Sequence, residues 1–188
     1  IVDAIKEASA FLDPGDILLL EVQDTSPYEN DKVWPVELDN SAFEAIRSAT
    51  QKGIIVIEPA GNGTSSFTYQ GGNDLDEYQD NSGEYLFNRI MPGFRDSGAI
   101  MVGAAESSLR HKRIGFSNYG SRVNCYAWGQ NIVTASRYPL DSGAAINTYT
   151  DKFCGTSGAT AIIAGAAIVL QSVYESKYHC RLNPVQMR

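Results

Sequence analysis

The stretch CGTSGATAIIAGAAIVL at residues 154–170 decides the fold. Small loop residues lead into a run that is apolar nearly all round. The pattern predicts the chain's longest helix over residues 156–177, and a helix without a polar face is buried in the middle of a domain. Ser157 stands where loop turns into helix. Its hydroxyl lies at the positive end of the helix dipole, and its small neighbours let another backbone approach. That setting suits a nucleophile. It is equally the setting of a helix cap, for which serine is a preferred residue. The elbow motif G-x-S-x-G is not met, because its last position is Ala159.

Upstream of this helix, short apolar runs alternate with helical segments, the pattern of an α/β protein with a mostly parallel sheet covered on both faces. Residues 1–12 have helical spacing, with Ile1, Ile5, Ala8 and Leu12 on one face. Pro14-Gly15 breaks that helix. Residues 16–22 (DILLLEV) have the length and apolarity of a buried strand, and residues 24–38, rich in turn formers, read as loop. Asn40 or Ser41 can cap a helix running to Lys52, closed by Gly53. Residues 54–58 (IIVIE) and 100–104 read as buried strands, 122–125 and 132–135 as short extended runs, 65–89 as a long polar excursion, and 141–151 as a hairpin or loop. Asn183-Pro184 is a cap followed by proline at the first position of a closing helix.

The bulk numbers exclude some partners. A net charge of −7 argues against nucleic acid, which wants a basic face. No run approaches the roughly 18 apolar residues of a membrane span. The N-terminus lacks the basic-then-apolar build of a signal peptide, so the compartment stays open, secreted or cytoplasmic. Both ends look cut, and the 188 residues are expected to form one partial domain, incomplete at both ends, prone to self-association. Three cysteines, Cys125, Cys154 and Cys180, leave at least one unpaired. They read as buried inert thiols, with one disulfide as the alternative.

A second site residue follows the strand 54–58. Asn62 lies in Ala60-Gly61-Asn62-Gly63. An asparagine between glycines is ordinarily a turn residue. Its side-chain amide could also donate to the oxyanion formed in acyl transfer, with the glycines leaving room for a carbonyl. Neither Ser157 nor Asn62 decides the matter by itself, but their company does. GIIVIEPAGN resembles the segment around the oxyanion asparagine of the subtilase family (subtilisin-like serine proteases). GFSNYG at residues 115–120 resembles that family's FS-x-x-G run, and CYAWGQNIVTA its APG-x-x-I run, with Trp128 in place of proline. CGTSGATAIIAG resembles GTSMA-x-P-x-x-AG, and LNPVQMR resembles the start of the helix after it. The matches come in family order across almost the whole chain.

The resemblance implies a subtilisin-like three-layer α/β/α fold and a serine endopeptidase acting on polypeptide. Ser157 takes the nucleophile's place, and Asn62 the oxyanion donor's, with the Ser157 backbone N–H as second donor. Pro59, Ala60 and Gly61 match one wall of the substrate pocket. Glu21, Val22 and Gln23 fall on the opposite wall, where the family carries Ser-Leu-Gly, and Thr156 joins the substrate-binding set. In family order the triad's Asp and His precede this region, so both are expected before residue 1 and the chain by itself is expected to be inactive. Neither His111, in the polar loop 106–113, nor His179, after the long helix, stands in the base's position. Gly158 and Ala161 replace the family's methionine and proline. Together with the bulkier Glu21 and Gln23 they also fit a non-catalytic peptide-binding or scaffold module. No cofactor or metal is implied, except that the acidic loop 73–81 has the oxygen-rich chemistry of a calcium loop as well as that of a solvated loop. Its tyrosines, with Tyr69 and Tyr85, could line a substrate or partner surface.

Overall fold

The computed structural model describes residues 1–25, 31–64, 71–136 and 148–188. Part of the excursion at 65–89, including Tyr69, and much of the segment at 141–151 lie outside the described residues. Helix α1 (Val2–Phe11) leads to strand β1 (Ile17–Leu19). Strands β2 (Gln23–Thr25) and β3 (Lys32–Pro35) follow, then a 3-10 turn at Val36–Leu38 and helix α2 (Asn40–Gln51). Strand β4 (Ile55–Pro59) precedes the two-residue strand β5 (Gly63–Thr64). A 3-10 turn (Leu75–Glu77) comes before strands β6 (Ile100–Ala105), β7 (Cys125–Trp128), β8 (Ile132–Ser136) and β9 (Thr148–Phe153). Helices α3 (Thr156–Tyr178) and α4 (Pro184–Met187) complete the described order.

Strands β1, β4, β6 and β7 form one four-stranded sheet in that order, all parallel. The pleat sends alternate residues of the Ile54–Ile57 run to opposite faces. Ile54 and Val56 pack with Ile5, Ala42, Ala45, Ile46 and Ala49 from α1 and α2. Ile55 and Ile57 pack with Ile100, Val102 and Ala104 beneath Ala159, Ala164 and Ala167 of α3. Alanines on that helical face let α3 lie close to the sheet. All four residues of the Ile54–Ile57 run are fully buried, and each such side chain stabilises the fold by roughly 1.5–3 kcal/mol. The result is the three-layer α/β/α arrangement that the alternating pattern predicts.

Several details differ from the sequence reading. Asp39, not Asn40 or Ser41, caps α2, its carboxylate accepting from Ala42 N–H at 2.8 Å. The turn-rich segment 24–38 contains β3 and most of β2, an antiparallel pair extended by β5. The strand expected at 122–125 starts three residues later, because Arg122 leaves the strand path to enter a buried charge cluster. The outer face of α3 is open: Ile168, Val169, Leu170 and Val173 are exposed, so the helix is not buried all round. By length and composition α3 is also apolar enough to cross a membrane, contrary to the sequence reading. Here it packs on β1, β4, β6 and β7. The three cysteines form no disulfide with one another, and Cys125 and Cys154 are half-buried and Cys180 exposed.

Candidate active site

In parallel α/β sheets, sites form beyond the carboxyl ends of the strands. The segment after β1 carries Glu21 and Val22 and enters β2 at Gln23, and the loop after β4 carries Ala60, Gly61 and Asn62. Asn62 meets the first turn of α3, which presents Ser157, and Gln23 reaches Asn62. Ser157 is half-buried between the fully buried Thr156 and the buried Gly158.

Asn62 is held from three directions. Its Oδ1 accepts from the Thr156 backbone N–H at 2.8 Å and from the Thr156 hydroxyl at 2.9 Å. A backbone N–H can bond only the oxygen of an amide, so these contacts fix which end of the side chain is Oδ1 and leave Nδ2 as its donor end. Asn62 N–H donates to Gln23 Oε1 at 3.1 Å, and the Asn62 carbonyl accepts from Thr64 N–H at 2.8 Å. This brings the two predicted pocket walls together through one side chain. Thr156 is turned inward onto Asn62, and its carbonyl accepts from the Thr160 hydroxyl at 2.7 Å. Pro59, Ala60 and Gly61 are buried, Val22 is half-buried against the α1/α2 core, and Glu21 is exposed.

Asn118 supports the same loop, and sequence reasoning missed it. Its Nδ2 donates to Val33 O at 2.8 Å and Ala60 O at 2.7 Å, while its Oδ1 accepts from Asn73 N–H at 2.8 Å. Its backbone N–H donates to Gly61 O at 3.0 Å. Gly61 has φ +97°, and a Cβ there would come within 2.6 Å of Asn118 Nδ2. Glycine at 61 is therefore required both by the turn and by the close approach.

A buried charge cluster, also missed, lies beneath this wall. Arg122 donates to Glu37 through Nε at 3.2 Å and Nη2 at 2.8 Å, and Nη2 lies 3.4 Å from Glu58. All three side chains are fully buried. Burial pushes the Glu58 carboxyl well above its usual range, and neighbouring Glu37 pushes it further. For Glu37, burial raises the pKa but the Arg122 charge and several hydrogen bonds outweigh it, so the net direction is down. Arg122 is destabilised as a cation by burial, yet the two glutamates hold it more firmly charged than usual. Of the two carboxyls Glu58 is thus the harder to ionise, while Glu37 pairs with Arg122. Glu58 directly precedes Pro59, so the pocket wall rests on this cluster. The only sequence sign was a glutamate inside an otherwise apolar strand.

The other candidates have structural partners. Trp128 Nε1 donates to His111 Nδ1 at 3.1 Å and stacks on its ring, so His111 is exposed but engaged. His179 is the left-handed C-cap of α3. At about 1.5 Å per residue, the helix carries it some 30 Å from Ser157. In the acidic loop, the Asp76 carboxylate accepts from Ser121 N–H and hydroxyl, and Asp80 Oδ1 accepts from Ser82 N–H, Ser82 Oγ and Glu84 N–H. Among the described residues no group of three or more His, Cys, Asp or Glu is placed to hold a metal ion, so the calcium reading gains no support. Tyr78, half-buried, packs edge-on against Trp34, and the two line a cavity with Tyr119.

Fold and site together define an α/β protein with a serine at a buried helix start and an oriented asparagine amide beside it. The chain belongs to the subtilase family, whose model matches residues 22–188. It is 30% identical over 129 residues to subtilisin BL of Lederbergia lenta, an alignment covering 68% of this chain and 35% of that protein. It is 41% identical over 69 residues to alkaline protease 1 of Aspergillus flavus, covering 37% of this chain and 15% of that protein. Among solved structures, a cold-adapted subtilisin-like serine proteinase superposes with a TM-score of 0.58 at 18% identity, covering 99% of this chain and 50% of that one. The alignments thus span about a third or less of the curated relatives and half of the solved structure.

Proposed function

We propose that this chain supplies the nucleophile and oxyanion half of a serine endopeptidase site. The observation that carries the reading is the Thr156–Asn62 clamp, which leaves Asn62 Nδ2 as a fixed donor beside the helix start bearing Ser157. The Ser157 oxygen attacks the peptide carbonyl carbon while a base removes its proton. Asn62 Nδ2 and the Ser157 backbone N–H stabilise the oxyanion. The C–N bond then breaks, the amine leaves with the proton, and water hydrolyses the acyl-enzyme. The base and its carboxylate partner are the family's His and Asp, contributed from outside these 188 residues. Without them the Ser157 hydroxyl stays a poor nucleophile at neutral pH.

Substrate enters as an extended strand. β2 is the outer strand of the β2–β3–β5 sheet, with one edge paired to β3 and the other, unpaired among the described residues, offered to a peptide. Val22 and Gln23 on one side, and Pro59, Ala60 and Gly61 on the other, line the pocket for the residue before the scissile bond. Gly158, which also fits a non-catalytic module, has a packing reason: a Cβ there would come within 2.4 Å of Ile132 and 3.1 Å of Phe153. Side chains from β8 and β9 occupy that space.

The test is active-site labelling. The full-length protein containing this chain reacts with a fluorophosphonate probe at Ser157, Ser157→Ala does not, and the 188-residue chain alone does not. A full-length protein that the probe fails to modify at Ser157 would sink the reading.

A further inference from the structure

Gln23 lies on the strand that the substrate would pair with and reaches the residue that would hold the oxyanion. Its Oε1 accepts from Asn62 N–H at 3.1 Å. Asn62 is flanked by two glycines in left-handed conformations, Gly61 at φ +97° and Gly63 at φ +76°. A backbone with that freedom does not fix a side chain by itself. A hydrogen-bond donor loses strength steeply as distance and angle depart from the best values, so a donor aimed at a transition state needs outside support. Thr156 supports the side-chain end of Asn62 and fixes the rotation of its amide. Gln23 adds a bond at the backbone end, on the Asn62 N–H itself, beside those that Asn118 and Thr64 make to the same loop. Gln23 is in turn anchored, because it opens β2 in register with Pro35 of β3.

We propose that Gln23 is a positioning residue of the oxyanion site, so that the substrate-pairing strand and the oxyanion donor move as one unit. The proposal rests on the reading of Ser157 and Asn62 given above. It makes Gln23 more than a pocket wall. A glycine, which the subtilase pattern carries at this place, has no side chain to reach Asn62. A peptide docking on the outer edge of β2 would order Gln23, and through it the Asn62 main chain, before the carbonyl is attacked.

The experiment uses the full-length protein and two variants, Gln23→Ala and Gln23→Met, the second keeping length while removing the amide acceptor. Peptide hydrolysis is expected to show kcat reduced about three- to tenfold, the kinetic equivalent of one ordinary hydrogen bond, with KM within twofold of the parent. Affinity for a peptide boronate, which mimics the tetrahedral state, falls by the same factor, while affinity for the cleaved product peptide holds. Combining Gln23→Met with Asn62→Ala gives no further loss of kcat beyond Asn62→Ala, because the support has nothing left to position. Unchanged kcat, a rise confined to KM, or fully additive losses in the double variant would each overturn the positioning role. Fluorophosphonate labelling separates the two layers. If the parent labels at Ser157 and hydrolyses peptide but the variants match it, only the role of Gln23 fails. If the parent does not label, the endopeptidase reading fails and the role of Gln23 with it.

Discussion

At Asn62, Oδ1 is taken up by Thr156, and in the proposed site Nδ2 is the donor left for the oxyanion. Asn62→Ala in the full-length protein is therefore expected to lower kcat by roughly 10²–10³ with little change in KM, a range that subtilisin itself defines. Peptide kinetics check it. Glu58 makes a different prediction, in stability against pH. Its folded-state pKa lies above its unfolded value, so its contribution is complete below the unfolded value near 4.5 and is lost as pH rises toward the folded one. Glu37 has the opposite sign. Its pKa is lowered, so its contribution is present above its unfolded value and lost as pH falls through the folded one. Urea midpoints measured across pH should show Glu58→Gln gaining on the parent as pH rises, since glutamine keeps the neutral form. Parallel profiles would refute this. Glu37→Gln strands the buried Arg122 cation and should cost about 3–5 kcal/mol at neutral pH. Ser157 and Asn62 were legible because family motifs surround them. Asn118, Glu37 and Arg122 were not, because their partners are distant in sequence: Asn118 bonds Val33 and Arg122 pairs with Glu37, each across 85 residues.

At the scale of elements, the buried strands β4 and β6 and the helix α3 were readable because each is a long apolar run with a single plausible period. The β2–β3 pair was not. Its residues include Asp24, Thr25, Lys32 and Pro35, turn formers or charges; β2 is largely exposed, and β3 is buried at Val33, Trp34 and Pro35 only through tertiary packing. The start of α3 also depends on tertiary fit. Gly158 costs roughly 1 kcal/mol of intrinsic helix propensity relative to alanine. It is kept because Ile132 and Phe153 fill the volume a side chain would need. Gly158→Met, which restores the subtilase residue, should therefore destabilise by about 1–3 kcal/mol through overpacking, despite its better propensity. Adding Ile132→Ala should recover much of that loss. Thermal or urea unfolding of the single and double variants measures the coupling, and additive changes would remove this account of Gly158.

Across the whole molecule, the distribution of apolar surface is uneven. The face of α3 toward the sheet is alanine-rich and buried, while its outer face presents Ile168, Val169, Leu170 and Val173, with Val169 63% and Val173 60% exposed. Among the described residues strand β1 pairs only with β4, leaving its second edge unpaired there, and Leu19 beside it is partly exposed. An open edge next to an apolar helical face is the surface that other polypeptide covers, because both the unpaired backbone groups and the hydrocarbon are unfavourable in water. The sequence showed the apolarity of α3 but not its asymmetry, since a helix apolar all round gives no phase by which to tell an inner face from an outer one. The 188-residue chain studied alone is therefore expected to self-associate. Light scattering should give a mass above that of the monomer, rising with concentration. Val169→Ser with Val173→Ser should shift it toward the monomer, because these exposed side chains contribute nothing to the core beneath α3. A sharp monomer peak for the parent chain at high concentration would contradict the expectation. An unchanged mass for the double variant would move the contact from α3 to the edge of β1.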